Sequence, residues 1–110
     1  MRINVKFRNL ESSEGIKNYA SEKVARLQKY LRAPLDAELT VSLERHVHIV
    51  DLIMTSGGLR YAAREESENM YTSIDMVMDK IDRQVRSKKD AATAKMRHAD
   101  ESVHLGKHDA

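Results

Sequence analysis

Apolar and polar residues alternate at the start of the chain, and this alternation predicts a half-buried strand over residues 2–8. Ile3, Val5 and Phe7 fall on one side, and the residues between them are polar. A period of two places alternate side chains on opposite faces of a sheet. The same alternation recurs over residues 36–45 and predicts a second strand.

Two further strands are predicted over residues 47–55 and 59–64. Residues 47–55 are apolar on both sides, so the pattern alone leaves their phase open. Placing Asp51 in solvent turns its apolar neighbours toward the core, because a shift of one residue moves every side chain to the other face. The inward set is then Val50, Leu52 and Met54. Ser56-Gly57-Gly58 predicts a tight reversal between the two strands.

Apolar residues recur at steps of three and four in two segments, which predicts two amphipathic helices. The first helix is capped by Ser12 or Ser13 and ends before Pro34. The second is capped by Asn69, and its pattern weakens after about Lys89. The apolar stripe of the second helix consists of Met70, Ile74, Val77, Ile81 and Val85, with Met78 beside it.

The order βαβββα predicts an α+β fold. The crossover through the first helix makes strands one and two parallel, and the short later connections make strands two to four an antiparallel meander. Each helix has a single apolar stripe, and most strands have one apolar face. We therefore expect a four-stranded mixed sheet with both helices packed on one face and the other face in solvent.

The length of 110 residues corresponds to one domain. We assign residues 1–95 to this domain and expect residues 96–110 to be a disordered tail. With 41% hydrophobic and 33% charged residues, the composition excludes a membrane-spanning or wholly disordered chain. Cys is absent and the N-terminus lacks the apolar core of a signal peptide, so we expect a cytoplasmic location.

The net charge of +2 conceals an uneven distribution along the chain. Residues 1–35 contain eight Lys or Arg against three acidic residues, and residues 80–97 contain seven against two. Residues 36–79 contain only three against nine. Two basic ends that meet in the fold would form a basic face, which favours a polyanionic partner. The alternative is that these blocks are solvated faces without a partner.

Basic side chains follow one flank of each predicted helix at steps of three, and further basic residues crowd the end of the second helix. These residues are Lys23, Arg26 and Lys29 in the first helix and Lys80, Arg83, Arg86 and Lys88 in the second. Such rows suit a phosphate backbone. The alternative is structural, because cations are favoured near helix C-termini and acidic residues four positions earlier can pair with Arg83 and Arg86.

No arrangement of residues typical of an enzyme occurs in the sequence. Gly-rich phosphate loops, a nucleophile elbow and a zinc-protease helix motif are all missing. His46 and His48 lie two positions apart without an evident third ligand, which argues against a metal site and for exposed strand histidines. We expect no enzymatic activity, no metal or other cofactor, and no small-molecule substrate.

Two stretches of the second helix, residues 69–75 and 79–85, resemble the second-helix signature of the ribosome hibernation promoting factors, also called the sigma-54 modulation protein family. Residues 19–30 are similar to the first helix of that family, and strand three with its Gly57-Gly58 turn also fits. The resemblance covers about residues 1–90 and is to the short form of the family. Asn69 and Asp82 depart mildly from the more usual Asp and Glu.

The resemblance implies a cytoplasmic, non-enzymatic stress-response protein of stationary phase. Family members bind the small ribosomal subunit in the channel used by mRNA and tRNA, inhibit translation and stabilise idle ribosomes. They contact ribosomal RNA through basic helix residues, and that role would fall on Lys23, Arg26, Lys29, Lys80, Arg83, Arg86 and Lys88. Tyr71 matches an aromatic position of the family, for which we favour a packing role. We expect no membrane partner and a monomer when the protein is free.

Two other functions stay open on the sequence alone. The chain could be a general double-stranded RNA-binding module, since such modules also place two helices on one sheet face. It could also be a protein-interaction module that dimerises through the sheet. Affinity for plain duplex RNA and the oligomeric state discriminate these alternatives from a ribosome-binding role.

Overall fold

The computed structural model describes residues 1–97, and it describes side chains as far as Ser87. Its elements are β1 (Arg2–Arg8), α1 (Glu14–Arg26), a 3₁₀ turn (Leu27–Tyr30), β2 (Asp36–Glu44), β3 (Val47–Ser56), β4 (Leu59–Ser67) and α2 (Met70–Arg97). This order confirms the predicted βαβββα arrangement. Most of the predicted tail, from residue 98 onward, lies outside the described residues.

The four strands form one mixed sheet in the order β1-β2-β3-β4. β1 pairs with β2 in parallel, and β2, β3 and β4 pair antiparallel, as predicted. The register aligns Val5 with Leu39, Leu39 with Leu52, and Leu52 with Ala63. These four side chains form a row across the inner face of the sheet.

The inner face of the sheet and the apolar stripes of both helices enclose a single core. Val50, Leu52 and Met54 are fully buried, which confirms the phase chosen from the polarity of Asp51. All six residues of the predicted α2 stripe are buried as well. The other face of the sheet is accessible apart from the buried Ile49, and it carries ion pairs such as Lys6 with Glu38 and Arg64 with Asp51. Both helices therefore lie on one face, as predicted.

The helix caps and the β3–β4 turn follow from local sequence. Ser13 caps α1 by accepting a hydrogen bond from the Ile16 N–H, and Asn69 caps α2 by accepting from the Tyr71 N–H at 2.8 Å. Gly57 and Gly58 have φ angles of 57° and 82°, the left-handed pair that a two-residue hairpin turn requires.

The ends of β4 and of the first helix depend on contacts that the sequence pattern does not show. β4 continues beyond the predicted end at residue 64 to Ser67, because Glu65 and Glu66 still pair with β3. The first helix changes to a 3₁₀ turn at Leu27. After this turn, the side chain of Gln28 donates to Ala33 O and accepts from the Leu35 N–H, both at 2.9 Å, which fixes the path into β2.

The two helices contact each other through a polar and aromatic cluster. The Tyr19 hydroxyl donates to Asp75 at 2.6 Å, and the ring of Tyr19 meets that of Tyr71 edge to face at 4.9 Å. Lys23 Nζ lies 3.4 Å from the same Asp75 carboxylate. Tyr71 thus packs against α1, in line with the predicted packing role.

Ser73 should be important for stability, because it is a fully buried polar residue of α2. Its hydroxyl donates to the His48 carbonyl at 2.7 Å and lies 2.6 Å from the Ser67 hydroxyl. Ser73→Ala takes this donor away from the His48 carbonyl and removes one contact of the Ser67 hydroxyl, which still donates to the Asn69 carbonyl. The substitution should lower the free energy of unfolding by about 1–3 kcal/mol in urea denaturation. The exposed neighbour Thr72→Ala should change it by less than about 0.5 kcal/mol. An equal loss of stability in Ser73→Ala and Thr72→Ala would contradict a stabilising role for the buried hydrogen bonds of Ser73.

The Tyr19–Asp75 hydrogen bond should give stability a dependence on alkaline pH. The hydrogen bond to Asp75 is the main cause that raises the pKa of Tyr19 above its ordinary value, and burial of the hydroxyl raises this pKa further. The pKa of Tyr19 is about 10 in the unfolded chain and higher in the folded protein. The hydrogen bond to Asp75 therefore contributes its full stabilisation below about pH 10, and this contribution is lost as the pH rises through the pKa of the folded protein.

Tyr19→Phe tests this dependence. The difference in unfolding free energy between the wild type and Tyr19→Phe should be constant below about pH 10 and shrink above it. Asp75→Asn should move the phenolate absorbance titration of Tyr19 to lower pH. A difference that grows with pH would show that the hydroxyl is not held by the carboxylate.

Candidate nucleic-acid interface

α1 and α2 run side by side in the same direction, because Tyr19 meets Asp75 near their starts and Tyr30 meets Arg86 further along. Between them lies an open groove of about 300 Å³. One wall, from α1 and the 3₁₀ turn, consists of Lys23, Arg26, Leu27, Lys29 and Tyr30. The other wall, from α2, consists of Asp75, Met78, Asp79 and Asp82. We call this space the interhelix groove.

The basic wall brings the three predicted residues of the first helix together. Lys23 is the most covered of them, because it pairs with Asp75 and its ammonium lies 5.1 Å from the centre of the Tyr19 ring. Arg26 and Lys29 are exposed and form no ion pair with any side chain of residues 1–87. These two cations are therefore available to an external anion.

The opposite wall is acidic. Asp75, Asp79 and Asp82 follow each other at steps of four and three, so they lie on one stripe of α2. Asp79 pairs with Arg83 at 2.9 Å and Asp82 pairs with Arg86 at 3.3 Å. The sequence predicts these two ion pairs within the helix if the basic residues have a structural role and not a binding role.

Arg86 links the acidic wall to the first helix. Its guanidinium donates to the Tyr30 hydroxyl at 3.4 Å and lies 5.3 Å from the centre of that ring. The carboxylate of Asp82 raises the pKa of Arg86, and the hydrogen bond to Tyr30 acts in the same direction. Arg86 therefore stays cationic while it bridges the two helices.

Lys80 does not face α1, contrary to the shared flank that the sequence suggested. Its ammonium pairs with Glu65 of β4, whose side chain is only 16% exposed. A step of three residues separates Lys80 and Arg83 by about 60° around the helix, and the inward-facing Glu65 draws Lys80 to the sheet side. Arg83, by contrast, is 76% exposed on the top of α2.

The remaining predicted residue, Lys88, belongs to α2, but its side chain lies outside the described residues. The structure thus gathers Lys23, Arg26, Lys29 and Arg86 around the interhelix groove, with Arg83 beside it and Lys80 apart. Sequence reasoning missed that the groove is half acidic. The spacing of Asp75, Asp79 and Asp82 at steps of four and three predicts an acidic stripe on α2. It does not show that this stripe faces α1.

His46 and His48 are the two histidines that lie in the described part of the chain. Within the described residues, no group of three or more His, Asp or Glu side chains is placed to hold a metal ion. The prediction that both histidines are exposed and lie in a strand was partly wrong. His46 is exposed, but it lies in the turn between β2 and β3. His48 lies in β3, but it is half-buried. None of the helices in the described part of the chain has the length and apolarity needed to cross a membrane.

Comparisons with known proteins identify the family of the chain. The chain is 29% identical over 90 residues to the ribosome hibernation promoting factor of Salmonella typhimurium, a match that covers 82% of this chain and 95% of that protein. The N-terminal domain of Thermus thermophilus Protein Y superposes with a TM-score of 0.74 at 30% identity, covering 77% of this chain and 96% of that one.

A further solved structure supports the fold alone. A ribosomal subunit interface protein from Coxiella burnetii superposes with a TM-score of 0.71 at 21% identity, covering 81% of this chain and 98% of that one. The profile described as Sigma 54 modulation protein / S30EA ribosomal protein matches residues 3–93. The chain therefore belongs to this family, whose members are ribosome hibernation factors and not enzymes.

Proposed function

We propose that the chain binds the small ribosomal subunit in the channel used by mRNA and tRNA, through the basic side chains of its helix layer. Occupation of that channel inhibits translation and stabilises idle ribosomes. The partner is the ribosomal RNA of the subunit, the protein acts in the cytoplasm, and the free protein is a monomer. The function needs no cofactor or small-molecule substrate.

The observation that carries the proposal is the placement of cations on the side of the helix layer that faces away from the sheet. Arg26, Lys29 and Arg83 are exposed there. Arg26 and Lys29 thus present positive charge on the α1 side of the groove, and Arg83 adds a cation on the exposed side of α2. Separate cations of this kind suit contacts with phosphates. The outer face of the sheet offers no equivalent, because its basic residues alternate with acidic partners such as Glu38 and Asp51. Family membership makes the ribosome the polyanion to test first.

Co-sedimentation tests the proposal directly. Purified protein is layered with small subunits, large subunits or whole ribosomes on sucrose gradients at low and moderate salt. We expect retention on small subunits and whole ribosomes that weakens as salt rises. Protein that stays at the top of the gradient at both salt concentrations would contradict the proposal. Equal affinity for a plain RNA duplex would point instead to a general RNA-binding module.

Removal of four helix cations should weaken binding without unfolding the protein. The combined variant Lys23→Gln, Arg26→Gln, Lys80→Gln and Arg83→Gln changes half-exposed or exposed positions. For every phosphate that the variant no longer neutralises, the slope of log affinity against log salt should fall by about 0.7–0.9. The slope is measured by titrating labelled protein with small subunits across a salt series.

A matched variant separates this effect from a loss of net charge. Arg2→Gln, Lys6→Gln, Arg8→Gln and Arg64→Gln remove the same number of charges from exposed positions of the sheet. We expect the salt slope of this control to stay close to that of the wild type. Equal slopes in the two variants would mean that the helix rows are solvated faces and not the binding surface.

A further inference from the structure

The interhelix groove carries negative charge at the position where a phosphate backbone would be expected to lie. Asp75, Asp79 and Asp82 span about 10 Å along α2, from the 1.5 Å rise per residue. They face the cations of α1 across the groove. A surface evolved only to attract polyanions gains nothing from such a stripe, because like charges at short distance repel.

The three carboxylates differ in what else they do. Asp75 accepts from Tyr19 and pairs with Lys23, so it holds the helices together. Asp79 and Asp82 pair only within α2 among the described residues, each with the arginine four positions later. An i,i+4 pair of this kind contributes only a few tenths of a kcal/mol to helix stability. Packing of the helices therefore does not account for Asp79, and it involves Asp82 only through Arg86, which reaches Tyr30.

We propose that Asp79 and Asp82 are specificity-determining residues, which keep a continuous phosphate backbone out of the interhelix groove and so suppress binding to plain double-stranded RNA. This inference rests on the proposed function and extends it. The cations that remain accessible, Arg26, Lys29 and Arg83, lie at the rim of the groove. An RNA that places its phosphates at the rim is accepted, and one that must also lay phosphates across the groove is repelled.

The distinction between two kinds of RNA follows from their shapes. A uniform duplex presents phosphates at regular short intervals along both strands, so a strand that follows the interhelix groove lays phosphates over the carboxylates. A folded ribosomal RNA surface can present separate phosphates at separate points. Unfavourable charge placed against wrong partners is a general device for specificity.

The test is the double variant Asp79→Asn and Asp82→Asn. Asparagine keeps the size of the side chain and an acceptor oxygen while it removes the charge. Binding to a short, labelled RNA duplex of mixed sequence is measured by fluorescence anisotropy, and binding to purified small subunits is measured by co-sedimentation at the same salt concentrations. Circular dichroism and urea unfolding confirm that each variant is folded.

We expect affinity for the duplex to rise by about three- to fivefold for each charge removed, which is the upper effect of an exposed charge pair. Affinity for small subunits should rise less, so the ratio of the two affinities should fall. The gain on the duplex should also diminish as salt rises, because the repulsion is screened.

The control is Glu38→Gln with Glu66→Gln, which makes the same change in net charge on the outer face of the sheet. Those two carboxylates are also exposed and also ion-paired, with Lys6 and Arg64 respectively. An equal gain on the duplex in both variants would show a net-charge effect and overturn the inference. No gain in the Asp79 and Asp82 variant would overturn it as well.

The experiment keeps the two proposals apart. If wild-type protein is not retained by small subunits, the proposed function fails and this inference fails with it. If wild-type protein is retained but the Asp79 and Asp82 variant gains no more duplex affinity than the control, the proposed function stands and only the role of the acidic stripe is rejected.

Discussion

Burial of two apolar helix stripes on one face of a single sheet determines where every charged side chain of this protein lies. Residues such as Val24 of α1 and Ile81 of α2 are fully enclosed against Leu39 and Leu52 of the sheet. Each fully buried aliphatic side chain contributes roughly 1.5–3 kcal/mol. Because a helix has about 3.6 residues per turn, a fixed apolar stripe also fixes the direction of the residues on its flanks. The layout of the candidate interface is thus a consequence of core packing.

This constraint brings opposite charges into the same groove. The core fixes Asp75 on the side of α2 that faces α1, and the adjacent positions 79 and 82 share that stripe. The basic row of α1 comes to face it for the same reason. The result is a mixed surface in which Lys23 is neutralised within the protein while Arg26 and Lys29 are not. At physiological salt the Debye length is about 8 Å, so these charges act on a partner only at contact distance.

Much of the fold was predictable, because its signals are local. Alternation, helical periodicity and the Gly57-Gly58 turn gave the order of elements, and the polarity of Asp51 was enough to choose the phase of β3. The ends of elements were less predictable where tertiary pairing overrides local preference. β4 extends through Glu65 and Glu66 because β3 offers partners to them, which is information that the residues themselves do not contain.

The candidate site was predictable residue by residue but not as an arrangement. The sequence identified the cations of both helices and the pairs of Arg83 and Arg86 with the acids four positions earlier. It could not place Lys80, whose direction depends on a glutamate on a strand. Nor could it show the bond between Tyr19 and Asp75, since the two residues lie 56 positions apart. Contacts between helices and strands depend on how these elements pack together, and the periodicity of one element gives no information about its packing partners.

The two edges of the sheet carry features that hinder pairing with another strand. At the β4 edge, the Gln84 side chain accepts from the Ala62 N–H at 3.2 Å and donates to the Ala62 carbonyl at 2.7 Å, as a neighbouring strand would. At the β1 edge, Arg2, Lys6 and Arg8 are exposed at alternate positions, and basic residues on an edge strand oppose pairing with another chain. An added strand would thus have to displace Gln84 from Ala62 at the β4 edge and lie beside basic side chains at the β1 edge. Dimerisation through the sheet would have to overcome this protection, whereas the rim of the interhelix groove is open to a partner that carries phosphates.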